Sequence, residues 1–263
     1  MKILFIGDIF GESGRRAIKN ELFNIKKNMN IDLIIANAEN CTHGRSLSLE
    51  HYEELMKYGI NYFTMGNHTW NIDEIYDVLK NNNIVRPYNI ISTAKQASFG
   101  NGTILFNFNN KKIRLTNLLG KSIPMDNLQT NPFIEFEKLL NNVEKSDIHI
   151  VDFHCETTSE KNAFLKSFAG KLTAILCTHT HVQTADERII NGTGYITDVG
   201  MTGGRDGVIG ADSTSIVDMF FEKIERFKLA SAKSKYQFNA VILSIDNKSN
   251  ELKKIERLFI NEN

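Results

Sequence analysis

Five short apolar segments of this chain each end in polar residues that are able to bind a metal ion. The five endings are Gly7-Asp8, Asn37-Ala38-Glu39-Asn40, Gly66-Asn67-His68, Asp152-Phe153-His154 and His179-Thr180-His181. Short apolar runs bounded by polar residues are typical of buried strands, and α/β sheets bind ligands beyond the carboxyl ends of their strands. The pattern therefore predicts a sheet-based fold in which one edge gathers these side chains into a single site.

The last ending is the most informative, because it places His179 and His181 two positions apart after an apolar run. In extended backbone both imidazoles point the same way, and neutral imidazole is the commonest protein ligand for catalytic metals. Taken singly, each of the other endings has an ordinary alternative. Asp8 could cap a turn, Asn67 could be a turn residue and His154 could be a hydrogen-bonded core histidine. Their coincidence at five strand ends favours one metal site over separate structural roles.

The mixture of donor types restricts the metal. Asp, Glu, Asn and several His together suit iron, manganese or zinc, whereas a calcium site would use oxygen ligands only. One carboxylate can bridge two ions about 3.5–4 Å apart, the arrangement used for in-line phosphoryl chemistry. The residues thus predict a catalytic site with divalent metal.

Hydrophobic periodicity predicts alternating strands and helices in the first third of the chain and hairpins later. Ser13 and Ser48 are candidate helix N-caps, and Asn109-Asn110 and Asn191-Gly192 are candidate hairpin turns. The predicted strands are residues 3–6, 33–36, 62–65, 103–108, 112–119, 148–153, 172–176, 188–197 as a hairpin, 238–245 and 252–259. The predicted helices are residues 13–28, 48–58, 71–80, 131–143, 159–168 and 212–227. This order favours an α/β fold of two sheets sandwiched between helices.

Composition limits the domain count and the classes of partner. The chain has 263 residues, of which 41% are hydrophobic, and only three are proline, so we expect a single domain over residues 1–263 without a linker. Lys+Arg and Asp+Glu both total 31, which disfavours a dedicated surface for long nucleic acids. Local basic pairs such as Arg15-Arg16 and Lys111-Lys112 leave a small patch open as an alternative.

Further features predict a cytoplasmic protein. An apolar run long enough for a transmembrane helix is absent from the sequence, and the N-terminus looks like a core strand rather than a signal peptide. Three cysteines without a Cys-x-x-Cys spacing indicate a reducing compartment. Cys41, Cys155 and Cys177 lie close in sequence to candidate ligands, so either buried structural roles or an oxidant-sensitive thiol could follow.

The motifs resemble those of the calcineurin-like metallophosphoesterases, and most closely those of the YmdB-like branch. The stretches that carry the resemblance are Ile6-Gly7-Asp8, Asn37-Ala38-Glu39-Asn40 with His43-Gly44, Thr64 to Trp70, Asp152-Phe153-His154, Thr178 to Asp186 and Ile196 to Gly203. The resemblance spans essentially the whole chain, from Met1 to about Asn261. It implies a four-layer α-β-β-α sandwich and a two-metal phosphodiesterase with iron as its native metal. It also implies a link to 2′,3′- and 3′,5′-cyclic nucleotides and to RNA metabolism.

Carried over to this chain, the resemblance implies two overlapping ligand sets and one acid. The first metal would be held by Asp8, Glu39, Asn40 and His181, and the second by Glu39, Asn67, His154 and His179, so that Glu39 is the bridge. His68 would protonate the leaving oxygen, with a structural role as its alternative. Two cations lower the pKa of a shared water toward 7, and a general acid adds typically 10²–10⁴-fold.

The chain departs from the broad superfamily at two positions. Phe10 stands where a histidine is usual, and the bridging position is Glu39 rather than an aspartate. Both departures are shared with the YmdB-like branch. The departures from the branch itself are Cys41 and Cys155 beside proposed ligands and Ser46 at an expected glycine. Asp152 and Asp198 could orient ligand histidines or simply form buried hydrogen bonds, and His43 could touch substrate or be an exposed loop residue.

Three functions remain open from the residues. The favoured one is a phosphodiesterase for cyclic nucleotides or related small phosphodiesters, containing two divalent ions, with manganese or zinc as alternatives to iron. The second is a metal-bearing regulator that turns over slowly, binds a nucleotide or protein partner and influences RNA metabolism. The third is an RNA-interaction protein, which zero net charge and the lack of an interleaved basic-aromatic tract disfavour. A homo-oligomer is left open.

Overall fold

Two mixed β-sheets form the frame of the protein, and the computed structural model describes residues 1–125, 128–226 and 229–262. The strands are β1 Lys2–Ile6, β2 Asp8–Ile9, β3 Leu33–Asn37, β4 Tyr62–Thr64, β5 Ile84–Val85, β6 Thr103–Phe108, β7 Lys111–Leu119, β8 Ile148–His154, β9 Ala174–Thr178, β10 Arg188–Ile190, β11 Thr193–Ile196, β12 Met201–Gly204, β13 Tyr236–Ile245 and β14 Leu252–Asn261. The helices are α1 Gly11–Met29, α2 Leu49–Tyr58, α3 Ile75–Val78, α4 Pro132–Asn142, α5 Thr158–Phe168 and α6 Ser213–Phe220, with one 3₁₀ turn at Lys95–Ser98.

The first sheet has the strand order β2-β12-β13-β1-β3-β4-β5, with β14 paired to β13. Strands β1, β3, β4 and β5 run parallel, whereas β13 is antiparallel to β1. The second sheet has the order β10-β11-β9-β8-β7-β6, in which β7, β8, β9 and β11 are parallel. Since parallel neighbours end on the same side, the carboxyl ends of β1, β3 and β4 share one edge, and those of β8 and β9 share another.

Alternation along the strands explains the four layers. On β1, Ile3 and Phe5 belong to a buried cluster that also contains Ile113 of β7 and Ile150 of β8, so this face packs sheet against sheet. The alternate residue Leu4 faces a second cluster that includes residues of α1 and α2. The outer face of the second sheet packs in the same way on α4 and α5. The predicted α-β-β-α sandwich with two mixed sheets is confirmed.

Local sequence signals were accurate for most elements. Every predicted strand is present within about two residues, and Ser48 caps α2 by accepting a hydrogen bond from His51 N at 3.3 Å. Both Asn109 and Asn110 have positive φ, as a tight hairpin turn requires. The short strands β2, β5 and β12 were missed, because strands of two to four residues are defined by their pairing partners rather than by local pattern.

Three predicted helices differ from the structure. Ser13 is not an N-cap, since α1 begins two residues earlier and Ser13 Oγ donates to the carbonyl of Ala232 at 2.6 Å. The segment 71–80 forms only the single turn α3, preceded by hydrogen bonds of three-residue spacing. The predicted helix 212–227 ends at Phe220, and the positive φ of Glu222 is incompatible with its continuation; Phe227 lies outside the described residues.

Within the ranges that the structure describes, no helix combines the length and apolar character that crossing a membrane requires.

Candidate metal centre

The polar strand ends of the two sheets meet at one edge of the sandwich. The backbone N–H of His179, which follows β9, donates to Asp8 Oδ2 of the other sheet at 3.0 Å. Asn37 of β3 donates across the sheets to Asp152 Oδ2 of β8 at 2.9 Å. These contacts bring carboxylates and amides from the first sheet to the histidines of the second.

The ring nitrogen His154 Nε2 is surrounded by three other atoms that can each bind a metal ion. It lies 3.0 Å from Glu39 Oε1, 3.0 Å from Asn67 Oδ1 and 3.0 Å from His179 Nδ1. Ligand atoms about 2.1 Å from one ion and at right angles to each other would be ~3 Å apart. Glu39, His154 and His179 are also the set of potential ligands whose donor atoms all lie within 4.8 Å. The four side chains predicted for the second metal are therefore brought together.

Three histidines have their tautomers set by a partner on the far side of the ring. Thr178 Oγ1 donates to Asp152 Oδ1 at 2.6 Å, so it must accept from His154 Nδ1 at 2.8 Å, which leaves the lone pair on Nε2. His179 Nε2 lies 2.8 Å from the Glu156 carboxylate, which leaves its lone pair on Nδ1. His181 Nδ1 donates to a backbone carbonyl at 2.8 Å, which leaves its lone pair on Nε2. Such outer hydrogen bonds are the usual way in which proteins orient metal-binding imidazoles.

A second group of acceptors lies beside the first. His181 Nε2 is 3.4 Å from Asp8 Oδ2, and Asn40 Nδ2 donates to the carbonyl of Gly44 at 3.0 Å. Asp8 Oδ1 and Asn40 Oδ1 are buried oxygens without a hydrogen-bond donor among the described residues. Buried polar atoms are normally paired, so acceptors without donors point to a cation. The donor types fit the divalent metals that the sequence predicts, and among the described residues the group of acidic and histidine side chains with donor atoms within 4.8 Å of one another is that of Glu39, His154 and His179, the predicted second position.

The electrostatics of the pocket agree with a cation site. Burial lowers the pKa of His154, but the neighbouring carboxylates, Glu39 above all, outweigh it and raise the pKa to about 9. Burial alone would raise the pKa of Glu39, yet His154, His68 and His179 bring it well below its usual range. Burial and the positive His154 lower the pKa of His179 to about 3. A proton on His154 and a metal ion therefore compete for the same acceptors, and metal binding should release a proton.

His68 lies at the border between this pocket and the open cleft. Its backbone N–H donates to Glu39 Oε2 at 2.8 Å, and its Nδ1 lies 2.9 Å from Asn71 Oδ1. The ring is half-buried and lines the cleft, so Nε2 is the atom left to act on a substrate. Asn71, which sequence reasoning assigned to a helix, instead orients the ring of the predicted acid.

Gly66 makes the close approach of Glu39 and His154 possible. A Cβ atom at this position would lie 2.4 Å from Glu39 Oε2 and 2.5 Å from His154 Nε2, closer than real contacts allow. We expect Gly66→Ala to displace both side chains and to lower the metal content of the purified protein, measured by elemental analysis.

The matched control for Gly66→Ala is Gly192→Ala. A Cβ there meets no atom within 4 Å, although its φ of +83° makes alanine costly by about 1 kcal/mol. The control should lose some thermal stability and keep its metal. If Gly66→Ala binds as much metal as the parent protein, the close packing at Gly66 does not determine the geometry of the ligands.

The two aspartates considered as histidine partners have different tasks. Asp152 acts on His154 through the hydroxyl of Thr178, as described above. Asp198 Oδ2 instead accepts from Thr180 N at 3.0 Å and Thr180 Oγ1 at 2.7 Å, and it pairs with the fully buried Lys161 at 2.9 Å. Asp198 therefore orients the loop between His179 and His181 rather than an imidazole.

The departures from the superfamily pattern have clear structural settings. Phe10 lies edge-on to the ring of His181, with ring centroids 5.6 Å apart and planes at 78°. Ser46 has a φ of 57°, the left-handed conformation that glycine adopts most easily, and its Oγ donates to the carbonyl of Thr69 at 2.6 Å. His43 is exposed and lies outside the set of described residues that line the cleft.

The three cysteines are buried and unpaired with one another. Burial raises the pKa of Cys41 and of Cys155 to about 12, and it raises that of Cys177 well above its usual range. Thiols of this kind are protonated at neutral pH and react slowly with oxidants. Their setting favours the structural role over the redox one.

A cleft of about 280 Å³ opens above the ligands. Its floor is polar and includes Glu39, Asn40, His68, His179 and His181. Its apolar wall consists of Phe10, Ile209, Ala211, Ile216 and Leu229.

Sequence reasoning missed four residues of this site: Asn71, Glu156, Thr178 and Ile209. Thr178 directly precedes the predicted ligand His179, and Glu156 follows the predicted ligand His154 by two positions. Their nearness in sequence could have identified them as partners of the ligands. Ile209 carried no such signal, because its contact with His181 spans 28 residues.

Comparisons with known proteins agree with this geometry. A family model described as YmdB-like protein matches residues 4–258. A Bacillus subtilis protein named 2′,3′-cyclic-nucleotide 2′-phosphodiesterase is 38% identical over 268 residues, covering 100% of this chain and 98% of that protein. A Mycoplasma pneumoniae protein, provisionally named phosphatase/phosphodiesterase, is 45% identical over 267 residues, covering 100% of this chain and 94% of its own.

A solved structure extends the match to three dimensions. The crystal structure described as that of a novel phosphatase from Mycoplasma pneumoniae superposes with a TM-score of 0.95 at 44% identity. The superposition covers 99% of this chain and 93% of that one.

Proposed function

The chain belongs to the YmdB-like family of metallophosphoesterases and is a phosphoesterase, and from this premise we propose that it hydrolyses cyclic nucleotides or related small phosphodiesters at a two-metal centre. The observation that carries the proposal is the convergence of acceptor atoms on His154 Nε2, next to a second group of buried acceptors at Asp8 and Asn40. Two groups that share Glu39 suit two ions with a common carboxylate.

The ligand assignment follows the grouping of atoms. One ion would be held by Asp8, Glu39, Asn40 and His181, and the other by Glu39, Asn67, His154 and His179. The mixed nitrogen and oxygen donors support iron, with manganese and zinc as alternatives. Bound divalent metal supplies a water of lowered pKa as nucleophile and charge that stabilises the phosphoryl oxygens.

The remaining tasks belong to side chains of this protein. Thr178, Glu156 and the carbonyl of Ile209 keep the lone pairs of three imidazoles directed into the centre. His68, oriented by Asn71 and positioned through its backbone bond to Glu39, would donate the proton to the leaving alkoxide. The cleft has room for a mononucleotide-sized ligand rather than for a duplex, which supports a small substrate.

The substrate class is supported by the name of the Bacillus subtilis relative and by the apolar wall facing the centre. Cyclic phosphates also arise when RNA is cleaved, so an action on them would link the enzyme to RNA metabolism. A cytoplasmic location and a homo-oligomeric state remain predictions from the sequence.

The test combines metal analysis with a substrate panel. Protein reconstituted with Fe²⁺, Mn²⁺ or Zn²⁺ is assayed on 2′,3′- and 3′,5′-cyclic nucleotides and on an aryl phosphodiester. We expect two ions per chain and turnover of at least one cyclic nucleotide. Two bound ions with nucleotide binding but without turnover would instead support the slow regulator, and fewer than two ions would contradict the two-metal centre.

A further inference from the structure

The apolar wall of the cleft contains a tight turn of unusual sequence. Val208 N donates to the carbonyl of Ala211 at 2.8 Å, and Ala211 N donates back to the carbonyl of Val208 at 3.0 Å. The two central residues, Ile209 and Gly210, have φ values of 46° and 94°. Positive φ at both central positions is the mark of a type I′ turn, in which Asn-Gly is strongly preferred.

Ile209 is a costly residue at the first position of such a turn. A β-branched side chain with positive φ is a genuine outlier, because Cβ crowds the backbone. The same chain uses the favourable residue elsewhere: the hairpin turns Asn109-Asn110 and Asn191-Gly192 have φ values of 48° and 60°, and 50° and 83°. A strained residue beside a candidate active site points to a function for its side chain.

The position of Ile209 shows what that function can be. Its carbonyl accepts from His181 Nδ1 at 2.8 Å, yet any residue could supply a carbonyl. Its side chain is 53% exposed and lines the cleft together with Phe10, Ile216 and Leu229. The turn itself is held against this wall, because a Cβ on Gly210 would lie 2.4 Å from Met201 Sδ and 2.8 Å from Phe10 Cγ.

We propose that Ile209 is a specificity-determining residue that packs against the flat face of a substrate nucleobase while the phosphodiester lies over the metal ligands. The proposal rests on the proposed cyclic-nucleotide hydrolysis. The side chains of Phe10, Ile209, Ile216 and Leu229 have no hydrogen-bonding groups, so this wall contacts the face of a base without reading its edge. The enzyme would therefore favour substrates with a base, tolerate the identity of that base and prefer the larger purines.

The test replaces Ile209 with residues that suit the turn. Ile209→Asn and Ile209→Gly keep the carbonyl that orients His181 and remove the apolar contact. The substrates are adenosine 2′,3′-cyclic phosphate and glycerol 1,2-cyclic phosphate, which has the same five-membered cyclic phosphodiester without a base. Val217→Asn is the control, since Val217 lies on α6, is 42% exposed and is outside the set that lines the cleft.

We expect both Ile209 variants to lose roughly tenfold in kcat/KM for the adenosine substrate, as the loss of a buried aliphatic contact implies. Their loss in kcat/KM for the glycerol substrate should be several-fold smaller, because that substrate has no base for the side chain to contact. Their Tm should rise, since the strained turn is relieved, and their metal content should equal that of the parent. The Val217→Asn control should leave both substrates unaffected.

Equal losses on the two substrates would assign Ile209 to the positioning of His181 and overturn the proposal, as would no loss on either. Calorimetric binding of adenosine 3′-monophosphate and glycerol phosphate makes the same comparison without turnover. If the parent protein hydrolyses neither substrate, the proposed function fails, and the binding comparison still decides whether Ile209 contacts a base.

Discussion

Glu39→Gln is expected to deplete both metal positions and to abolish hydrolysis. Glu39 is 1% exposed, its Oε1 faces His154 Nε2 at 3.0 Å, and its Oε2 accepts from His68 N at 2.8 Å. Glutamine keeps the volume but removes the negative charge and directs an N–H₂ group at acceptors or at an ion. Losing the charge that both ions share should cost on the order of several kcal/mol of transition-state stabilisation.

Elemental analysis of Glu39→Gln after reconstitution is the decisive measurement, and Glu156→Gln is its matched control. The Glu156 side chain is 55% exposed, lines the cleft and lies 2.8 Å from the outer nitrogen of His179. Loss of such an outer contact typically weakens metal affinity about 10–100-fold, so the control should lose mainly one ion. Two fully retained ions in Glu39→Gln would show that this carboxylate is not a bridge.

His68→Ala is expected to separate metal binding from acid catalysis. The imidazole of His68 contacts Asn71, and only its backbone N–H reaches Glu39. Both ions should therefore stay bound. The variant should lose about 3–5 kcal/mol of transition-state stabilisation with an alkoxide leaving group, the range that general-acid factors imply.

The leaving group provides the control within the same variant. Nitrophenolate needs little protonation, so the loss with a nitrophenyl diester should be much smaller than the loss with a cyclic nucleotide. Asn71→Ala should show the same dependence on leaving group in weaker form, because it removes only the partner that orients the ring. Equal losses on the two substrates would show that His68 is not the acid.

The strand ends were predictable because a buried strand is a local signal. The apolar runs before Asp8, Asn37 and His154 are visible in the sequence, and parallel pairing brings their ends to one edge. The resemblance to the family supplied the assignment of donors to one ion or the other. That assignment remains a prediction, and the contacts around His154 support it.

The rest of the site depends on contacts between distant residues. The hydrogen bond from His181 to Ile209 and the ion pair of Lys161 with Asp198 join parts of the chain that local pattern does not relate. The single turn at 75–78 in place of a longer helix has the same origin, since the side chain of Asn71 bonds to His68 instead of continuing a helix. Tertiary contacts override propensity at these positions.

The division of the ligands between the two sheets has a consequence for biogenesis. The carboxylates and amides all precede residue 70, whereas the histidines that complete both sets follow residue 150. Of the candidate ligands, a nascent chain therefore presents only the oxygen donors until its second half has been synthesised and has docked. The proposed metal centre can be filled only after that step, and a bound ion would then link one sheet to the other. A shortage of the proposed metal would then lower the amount of the protein as well as its activity, because a ligand that binds only the folded chain adds to its stability and so to its protection from proteases.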